Sequence, residues 1–237
     1  MSTTLGKRRR TYESASVRPV GSGFGVYLDD KPLRTPLGTA ITVPTVALAE
    51  AVAEEWRQQG TTLALDRCPL TRIAGTALDL ITRQRAQVVA ELAEYGETEL
   101  VCHRAERPPA LVARQHAVWQ PLVDWTLQHF DAPLAVTPGV LPRGQSPAAL
   151  SALEGAIAVE DDWRLAALAV AVRAAGSLVI GLALGEGRLD SVGAFDAAEL
   201  DATFQIEAWG EDAEAARRRA GVRADLESAA RFLDLLR

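Results

Sequence analysis

The sequence has little of the chemistry that marks metal, redox or disulfide-rich proteins. It contains two cysteines, three histidines and one methionine in 237 residues. Cys68 and Cys102 lie far apart and fit no metal-binding or redox spacing, so we expect reduced thiols, with one disulfide as the alternative. His103, His116 and His129 form no HExxH-like pattern, so no metal site is expected. No cofactor is expected either.

Familiar catalytic signatures are also missing. The chain has no GxSxG segment and no Walker A loop. The adjacent acids Glu54–Glu55 and Asp161–Asp162 would point in different directions on a helix, so neither pair is a natural acid–base dyad. Asp79 lies in an apolar stretch, where a structural hydrogen-bonding role is expected, with Arg72 or Arg83 as a partner.

A long uncharged apolar run is missing as well. Leu165–Leu184 has the length to cross a bilayer, but Arg173 near its middle would cost roughly 2.5–3.5 kcal/mol on insertion scales. We therefore predict a buried helix of a bundle and no membrane insertion. The basic cluster Lys7–Arg10 precedes no apolar segment, which argues against a secretory signal and favours a solvated tail.

The composition that is present describes an ordinary soluble protein. Hydrophobic residues make up 48% and charged residues 24%, and the length allows one large domain or two modest ones. A net charge of −6 argues against general nucleic-acid binding. Acidic residues concentrate between positions 190 and 214, where no lysine or arginine occurs.

Residue patterns divide the chain in two. Residues 11–43 alternate apolar positions with Gly and Asp turn signals, which predicts a small antiparallel meander. Helical periodicity begins at Thr45 and continues to the end. The sequence predicts an α+β fold, with a small antiparallel β-rich N-terminal domain over 1–44 and a larger all-α helical domain over 45–237.

Several helices can be delimited within the second part. One starts after Thr45 with an apolar face that includes Val46 and Trp56, and another is capped by Thr71. Pro108–Pro109 opens a third, which Pro121 should kink or split. Residues 131–147 are predicted as loop. The remaining predicted helices are Ala148–Val159, Trp163–Leu184, Gly193–Trp209 and Arg223–Leu235.

The helix predicted over Gly193–Trp209 carries two stripes at a spacing of four residues. Leu200, Phe204 and Ala208 form the stripe expected to be buried. The neighbouring stripe of Asp201, Gln205 and Trp209 combines an acid, an amide and a large aromatic, which suits recognition of a polypeptide. The alternative is a solvated face with Trp209 folded into the core.

Several segments, taken in order, resemble a known family, the assembly chaperones of the F1 sector of ATP synthase that bind its α subunit in mitochondria and some alphaproteobacteria. The matching segments extend over nearly the whole chain. They are Val26–Pro36, Val43–Thr45 with Leu48–Ala49, Glu55–Gln59, Cys68–Thr71, Leu100–Ala105, Gln115 with Trp119–Leu122, Gly176–Val179 and Phe204–Gly210.

The resemblance implies a chaperone, not an enzyme, that holds the free α subunit until the β subunit displaces it. We expect a monomer with no cofactor, in the bacterial cytoplasm, or in the mitochondrial matrix if the source is eukaryotic. In the family an acidic residue before the aromatic–Gln motif is functionally important, and Asp201 occupies that position. The chain departs from the family pattern at four positions, Arg57, Cys68, Gln120 and Ala202.

From the stripe and the resemblance together, five residues are candidates for partner binding: Asp201, Gln205, Glu207, Trp209 and Trp56. Two other hypotheses stay open. One is a small-molecule enzyme that uses helix-borne carboxylates, which would require a deep polar pocket with convergent acids. The other is a generic protein-binding scaffold.

Overall fold

The computed structural model describes residues 9–139 and 144–237. Lys7 and Arg8 of the basic cluster, and residues 140–143 of the predicted loop, lie outside these ranges. Four strands near the start form one antiparallel sheet: β1 (Ala15–Val20), β2 (Gly23–Leu28), β3 (Lys31–Pro32) and β4 (Thr42–Val43). Strand β2 is central and pairs with the other three. The predicted small antiparallel sheet is confirmed, but its meander order is wrong for the last strand, because β4 pairs with β2 and not with β3.

The turn between β2 and β3 is fixed by Asp29. Its backbone adopts a positive φ of 52°, which short polar side chains tolerate best after glycine. The Asp29 carboxylate accepts hydrogen bonds from the backbone N–H groups of Glu13 and Ser14. These hydrogen bonds lower the pKa of Asp29 and tie the turn to the segment that leads into β1.

Ten α-helices follow in the described part of the chain. Their bounds are α1 (Val46–Arg57), α2 (Pro69–Thr76), α3 (Thr82–Glu97), α4 (Pro109–Phe130), α5 (Pro147–Ala158), α6 (Asp162–Ala175), α7 (Leu178–Gly185), α8 (Ser191–Ala198), α9 (Leu200–Trp209) and α10 (Ala213–Asp234). A π-helical turn, Ala77–Ile81, joins α2 to α3. The small sheet followed by a mostly helical body confirms the predicted α+β class.

Helix α1 packs directly on the sheet. The Thr45 side chain caps it by accepting from the Leu48 N–H, and its buried face includes Val52 and Trp56. Val46, expected on that face, is 51% exposed, whereas Leu48 and Ala49 of the same turn are fully buried. The Thr45 hydroxyl also donates to the Leu235 carbonyl oxygen, which joins the two ends of the fold.

The central helices come from the apolar run 165–184. Helices α6 and α7 occupy it and are buried on nearly all sides, so the predicted buried location is confirmed. The predicted single helix is wrong, because Gly176 adopts a left-handed φ of 64° and ends α6. No helix in the described ranges is long and apolar enough to cross a membrane.

Other helix boundaries also differ from the sequence prediction. Helix α4 continues through Pro121, so of the predicted kink or split the split is wrong. Pro121 lies on the exposed side, while Trp119 and Leu122 are on the buried side. The predicted helix over Gly193–Trp209 is divided at Glu199, whose φ of −103° and ψ of 18° interrupt the helical turn.

Two further expectations need correction. Thr71 does not cap α2; the helix begins two residues earlier, and the Glu55 carboxylate accepts from the N–H groups of Leu70 and Thr71. Within the predicted loop, Thr137–Pro138 forms a short parallel pair with His103–Arg104. These strands, β6 and β5, are too short to give a periodic signal.

One continuous cluster of buried side chains extends from the sheet through the helical body. It includes Val26 of the sheet, Trp56 of α1 and Phe232 of α10. Cys68 and Cys102 are both buried free thiols. Burial raises the pKa of each thiol to about 12, so neither is a ready nucleophile. The domain boundary at residue 44 stays a prediction.

Candidate protein-interaction surface

Four of the five predicted site residues lie on helix α9, and this helix is largely exposed. Leu200 is its one buried residue, and Gln205 and Glu207 are exposed. Trp209, at its C-terminal end, is 81% exposed. An indole this exposed leaves a large apolar surface in water, so the alternative of Trp209 folded into the core is excluded.

The stripe expected to be buried is only partly so. Leu200 is buried, Phe204 is half-buried and Ala208 is exposed. The guanidinium of Arg114, on α4, lies 5.4 Å from the Phe204 ring centroid and covers it in place of an apolar neighbour. Helix α9 therefore contacts α4 through polar and cation–π interactions as well as through its partly buried side.

Arg114 also makes the clearest ion pair of this surface. Its two terminal nitrogens each donate to one oxygen of Glu207, both at 2.8 Å. The hydrogen bonds from Arg114 lower the pKa of Glu207. A bidentate pair fixes direction as well as distance, so Glu207 is engaged within the chain and α9 is held at its C-terminal half.

The N-terminal half of α9 is held by a second polar contact. The Gln115 amide nitrogen donates to Asp201 Oδ1 at 2.7 Å, and the Gln115 amide oxygen accepts from the Ala105 N–H at 2.7 Å. Gln115 is 1% exposed, whereas Asp201 is half-buried. Asp201 thus lies at the border between the helix contact and solvent.

The acid-rich segment 190–214 is largely balanced in space, although no basic residue interrupts it in sequence. Glu199 is buried and pairs with Arg218 and Arg219 of α10, and Glu211 pairs with Arg219. Asp190 and Asp212 cap helices α8 and α10. The excess negative charge read from the sequence is therefore much smaller at the surface.

Trp56 lies away from this surface. It is 8% exposed, its indole N–H donates to Thr71 Oγ1 at 3.0 Å, and its ring packs 5.9 Å from that of Tyr12. The structure therefore places Trp56 in the core between α1, α2 and the N-terminal segment. Of the five predicted site residues, Asp201, Gln205, Glu207 and Trp209 share α9, and Trp56 does not join them.

The sequence analysis assigned no role to Arg114 and Gln115, although they position the α9 face. The available signal was the presence of these two polar residues on the side of α4 that also carries Leu111, Trp119 and Leu122. A buried glutamine on such a side requires hydrogen-bond partners, but the partner on α9 becomes visible only in three dimensions.

The acids that could have supported enzyme chemistry are engaged in structural hydrogen bonds. Glu99 is fully buried and accepts from the Ser177 hydroxyl and from the N–H groups of Leu178 and Val179 at the start of α7. Burial raises the pKa of Glu99, and these hydrogen bonds oppose the rise. Burial likewise raises the pKa of Glu55, which caps α2.

Asp79 has the expected structural role but other partners than Arg72 and Arg83. Its carboxylate accepts from the hydroxyls of Thr35 and Thr39 and from the Leu37 N–H. Desolvation opposes its ionisation, yet these hydrogen bonds prevail and lower its pKa. Asp79 thereby clamps the β3–β4 hairpin onto the π-helical turn.

The surface depressions are wide and shallow. One of about 350 Å³ lies between α8 and α10, beside Phe195, Arg219 and Arg223. Another of about 540 Å³ lies at the start of α4, beside Pro109, Val112 and His116. The first lining includes two acids, Glu211 and Glu227, but Glu211 is paired with Arg219, and the second includes one acid, Glu106. Within the described ranges, no group of three His, Cys, Asp or Glu side chains is arranged to hold a metal ion.

Comparison with known proteins gives consistent matches. Residues 9–127 match the family model described as ATP12 chaperone protein. The mitochondrial protein atp12 of Schizosaccharomyces pombe is 22% identical over 85% of this chain and 74% of its own length.

Solved structures match over almost the whole chain. The crystal structure of Atp12 from Paracoccus denitrificans is 39% identical, covers 97% of this chain and 98% of its own, and superposes with a TM-score of 0.91. A protein from Agrobacterium tumefaciens is 35% identical, covers 97% of this chain and 86% of its own, and has a TM-score of 0.90.

Proposed function

The chain belongs to the ATP12 chaperone family, the assembly chaperones of ATP synthase, and we propose that it binds the free α subunit of the F1 sector. The bound α subunit is shielded until the β subunit takes its place. The chaperone acts as a monomer, in the bacterial cytoplasm or, in a eukaryotic host, in the mitochondrial matrix.

Physical chemistry supports such a role. A subunit that awaits assembly exposes the apolar surface that its neighbour will later cover, and such a surface aggregates at cellular concentrations. A chaperone that yields to the neighbour needs only moderate affinity, since a tighter complex would block assembly. A wide, shallow surface with one large aromatic anchor suits that requirement better than a deep cavity.

The exposed α9 face is the observation that carries the proposal. Trp209 is 81% exposed at the helix end, and Gln205 and Asp201 lie one and two turns before it on the same side. Trp is the residue type most enriched among interface anchors, and a charged neighbour sets register and rejects wrong partners. Glu207, already paired with Arg114, serves to orient the face.

A charge reversal at the surface tests this assignment. Asp201→Lys is expected to abolish capture of the α subunit, because the carboxylate is replaced by the opposite charge at the binding face. Asp196→Lys is the matched control, since Asp196 is an exposed acid of α8 outside the α9 face. The measurement is co-purification of the α subunit with each tagged variant, after circular dichroism has shown that each is folded.

Equal capture by wild type and Asp201→Lys would remove Asp201 from the binding site. Equal loss in both variants would show that net charge, and not the α9 face, governs the interaction.

A further inference from the structure

We propose that Gln115 is a positioning residue for partner binding: it holds one oxygen of Asp201 so that the other, Oδ2, receives an arginine or lysine side chain of the bound subunit. The inference rests on the proposed function. It names a residue that itself has no access to the partner, since Gln115 is 1% exposed.

The orientation of the Gln115 amide is determined by its surroundings. The Ala105 N–H can only donate a hydrogen bond, so it must meet the amide oxygen of Gln115, at 2.7 Å. The amide nitrogen is then turned towards Asp201 Oδ1, also at 2.7 Å. A flipped amide would oppose two donors at Ala105 and two acceptors at Asp201, so only one orientation satisfies both ends.

The choice of a neutral amide preserves the charge of Asp201. The other acids that tie this region to neighbouring helices, Glu199, Glu207 and Glu211, each pair with an arginine. Within the ranges that the structure describes, no lysine or arginine nitrogen lies within the 4.0 Å of an ion pair to Asp201, and Oδ2 accepts no hydrogen bond. A half-buried carboxylate held in this way presents an uncompensated negative charge to an incoming cation.

The weak apolar packing of α9 makes the position of Asp201 sensitive to this contact. With Leu200 as the one buried residue of the helix, the helix is located by its polar links to α4 and by the hydrogen bond from Arg219 of α10 to Thr203. Groups that bind must be held by neighbours whose own side chains are fixed, and Gln115 is fixed at both ends of its amide. Its loss would leave the carboxylate free to move along the surface.

A double-mutant cycle tests the positioning role. Gln115→Met keeps the side-chain length but removes both hydrogen bonds; it is expected to weaken affinity for the purified α subunit about tenfold, which corresponds to about 1.4 kcal/mol. In an Asp201→Ala background, the same substitution should cause no further loss. Equal losses in the two backgrounds would overturn the proposal, because Gln115 would then act independently of Asp201.

Exchanging the amide and the carboxylate between positions 115 and 201 separates a positioning role of Gln115 from a role in protein stability alone. In Gln115→Glu with Asp201→Asn, the donor and acceptor exchange places, so the hydrogen bond between α4 and α9 can form again while the charge moves into the interior. We expect the thermal midpoint to recover relative to Gln115→Glu alone, and affinity to stay lost. Recovery of both quantities would overturn the proposal, since docking of α9 would then suffice.

Gln120→Glu is the matched control on the same helix. Gln120 also donates to an aspartate, Asp124, at 2.8 Å, and accepts a long hydrogen bond from Arg104. Among the described residues, neither of these side-chain hydrogen bonds reaches α9, so affinity should be unchanged. Failure of wild type to bind the α subunit at all would instead refute the proposed function. If Gln115→Glu does not fold, the cycle with Gln115→Met still decides the question.

Discussion

The two tryptophans Trp56 and Trp209 show when a sequence pattern can predict the location of a side chain and when it cannot. Helical spacing predicted that Trp56 lies on the apolar face of α1, and it is buried there. The same type of reasoning left Trp209 undecided between core and surface, because no neighbour in the sequence reveals what packs beside the end of a helix. Only the arrangement of α9 on α4 shows that the indole stays in solvent.

The two tryptophans should therefore respond in opposite ways to truncation. Trp56→Ala removes a buried ring and its hydrogen bond to Thr71 and should lower the free energy of unfolding by about 3–5 kcal/mol. Trp209→Ala should change it by less than about 0.5 kcal/mol but weaken capture of the α subunit. Urea denaturation and co-purification check the pair; a similar loss of stability in both would contradict the assigned locations.

The hydrogen bonds of Asp79 should make the stability of the fold depend on pH. Its lowered pKa means that the folded state favours the ionised form, so this stabilisation is present above the ordinary aspartate pKa of about 3.9 and is lost as the pH falls through the folded value. Asp79→Asn should cost about 1–2 kcal/mol at pH 7, and the difference from wild type should shrink below about pH 4. Denaturation of wild type and Asp79→Asn at pH 7 and at low pH measures this difference in the free energy of unfolding. A difference that does not change with pH would argue against a stabilising role of the ionised Asp79.

At the scale of elements, periodicity predicted most helices but not their breaks. The interruption between α8 and α9 occurs at Glu199, whose carboxylate pairs with Arg218 and Arg219, residues that are nearly twenty positions away in sequence. Pro121 lies within α4 on its exposed side, and the buried residues on the opposite side belong to one continuous helix. Such outcomes depend on tertiary contacts, which local spacing cannot encode.

The crossing of α6 and α7 depends on one small residue. A Cβ at Gly181 would clash with the Val172 side chain and lie 3.1 Å from the Val172 Cα, and this backbone cannot retreat inside a buried helix. Gly181→Ala should therefore cost about 1–3 kcal/mol. Gly155→Ala on α5, where a Cβ meets nothing within 4 Å, should be neutral or stabilising by up to about 1 kcal/mol. Thermal unfolding compares the midpoints of the Gly181→Ala and Gly155→Ala variants, and equal midpoints would argue against a tight α6–α7 contact.

For the whole molecule, the pattern change near residue 44 was enough to predict a small sheet and a larger helical body. The function required more: composition and charge excluded classes of protein, and the ordered resemblance, not a physical pattern, indicated a chaperone. The candidate site was located by its stripe on α9. Its supports on α4, Arg114 and Gln115, could not be found from sequence, because both contacts join helices that are distant in the chain.

The most direct measurement is co-expression of the chain with the ATP synthase α subunit of its host. The account predicts that the α subunit, insoluble when expressed alone, moves to the soluble fraction and co-purifies with the wild-type chaperone, and that Trp209→Ala reduces the recovered amount while the chaperone itself stays folded. If the α subunit stays insoluble beside a folded, abundant chaperone, or is recovered equally with Trp209→Ala, binding of free α subunit through the α9 face is contradicted.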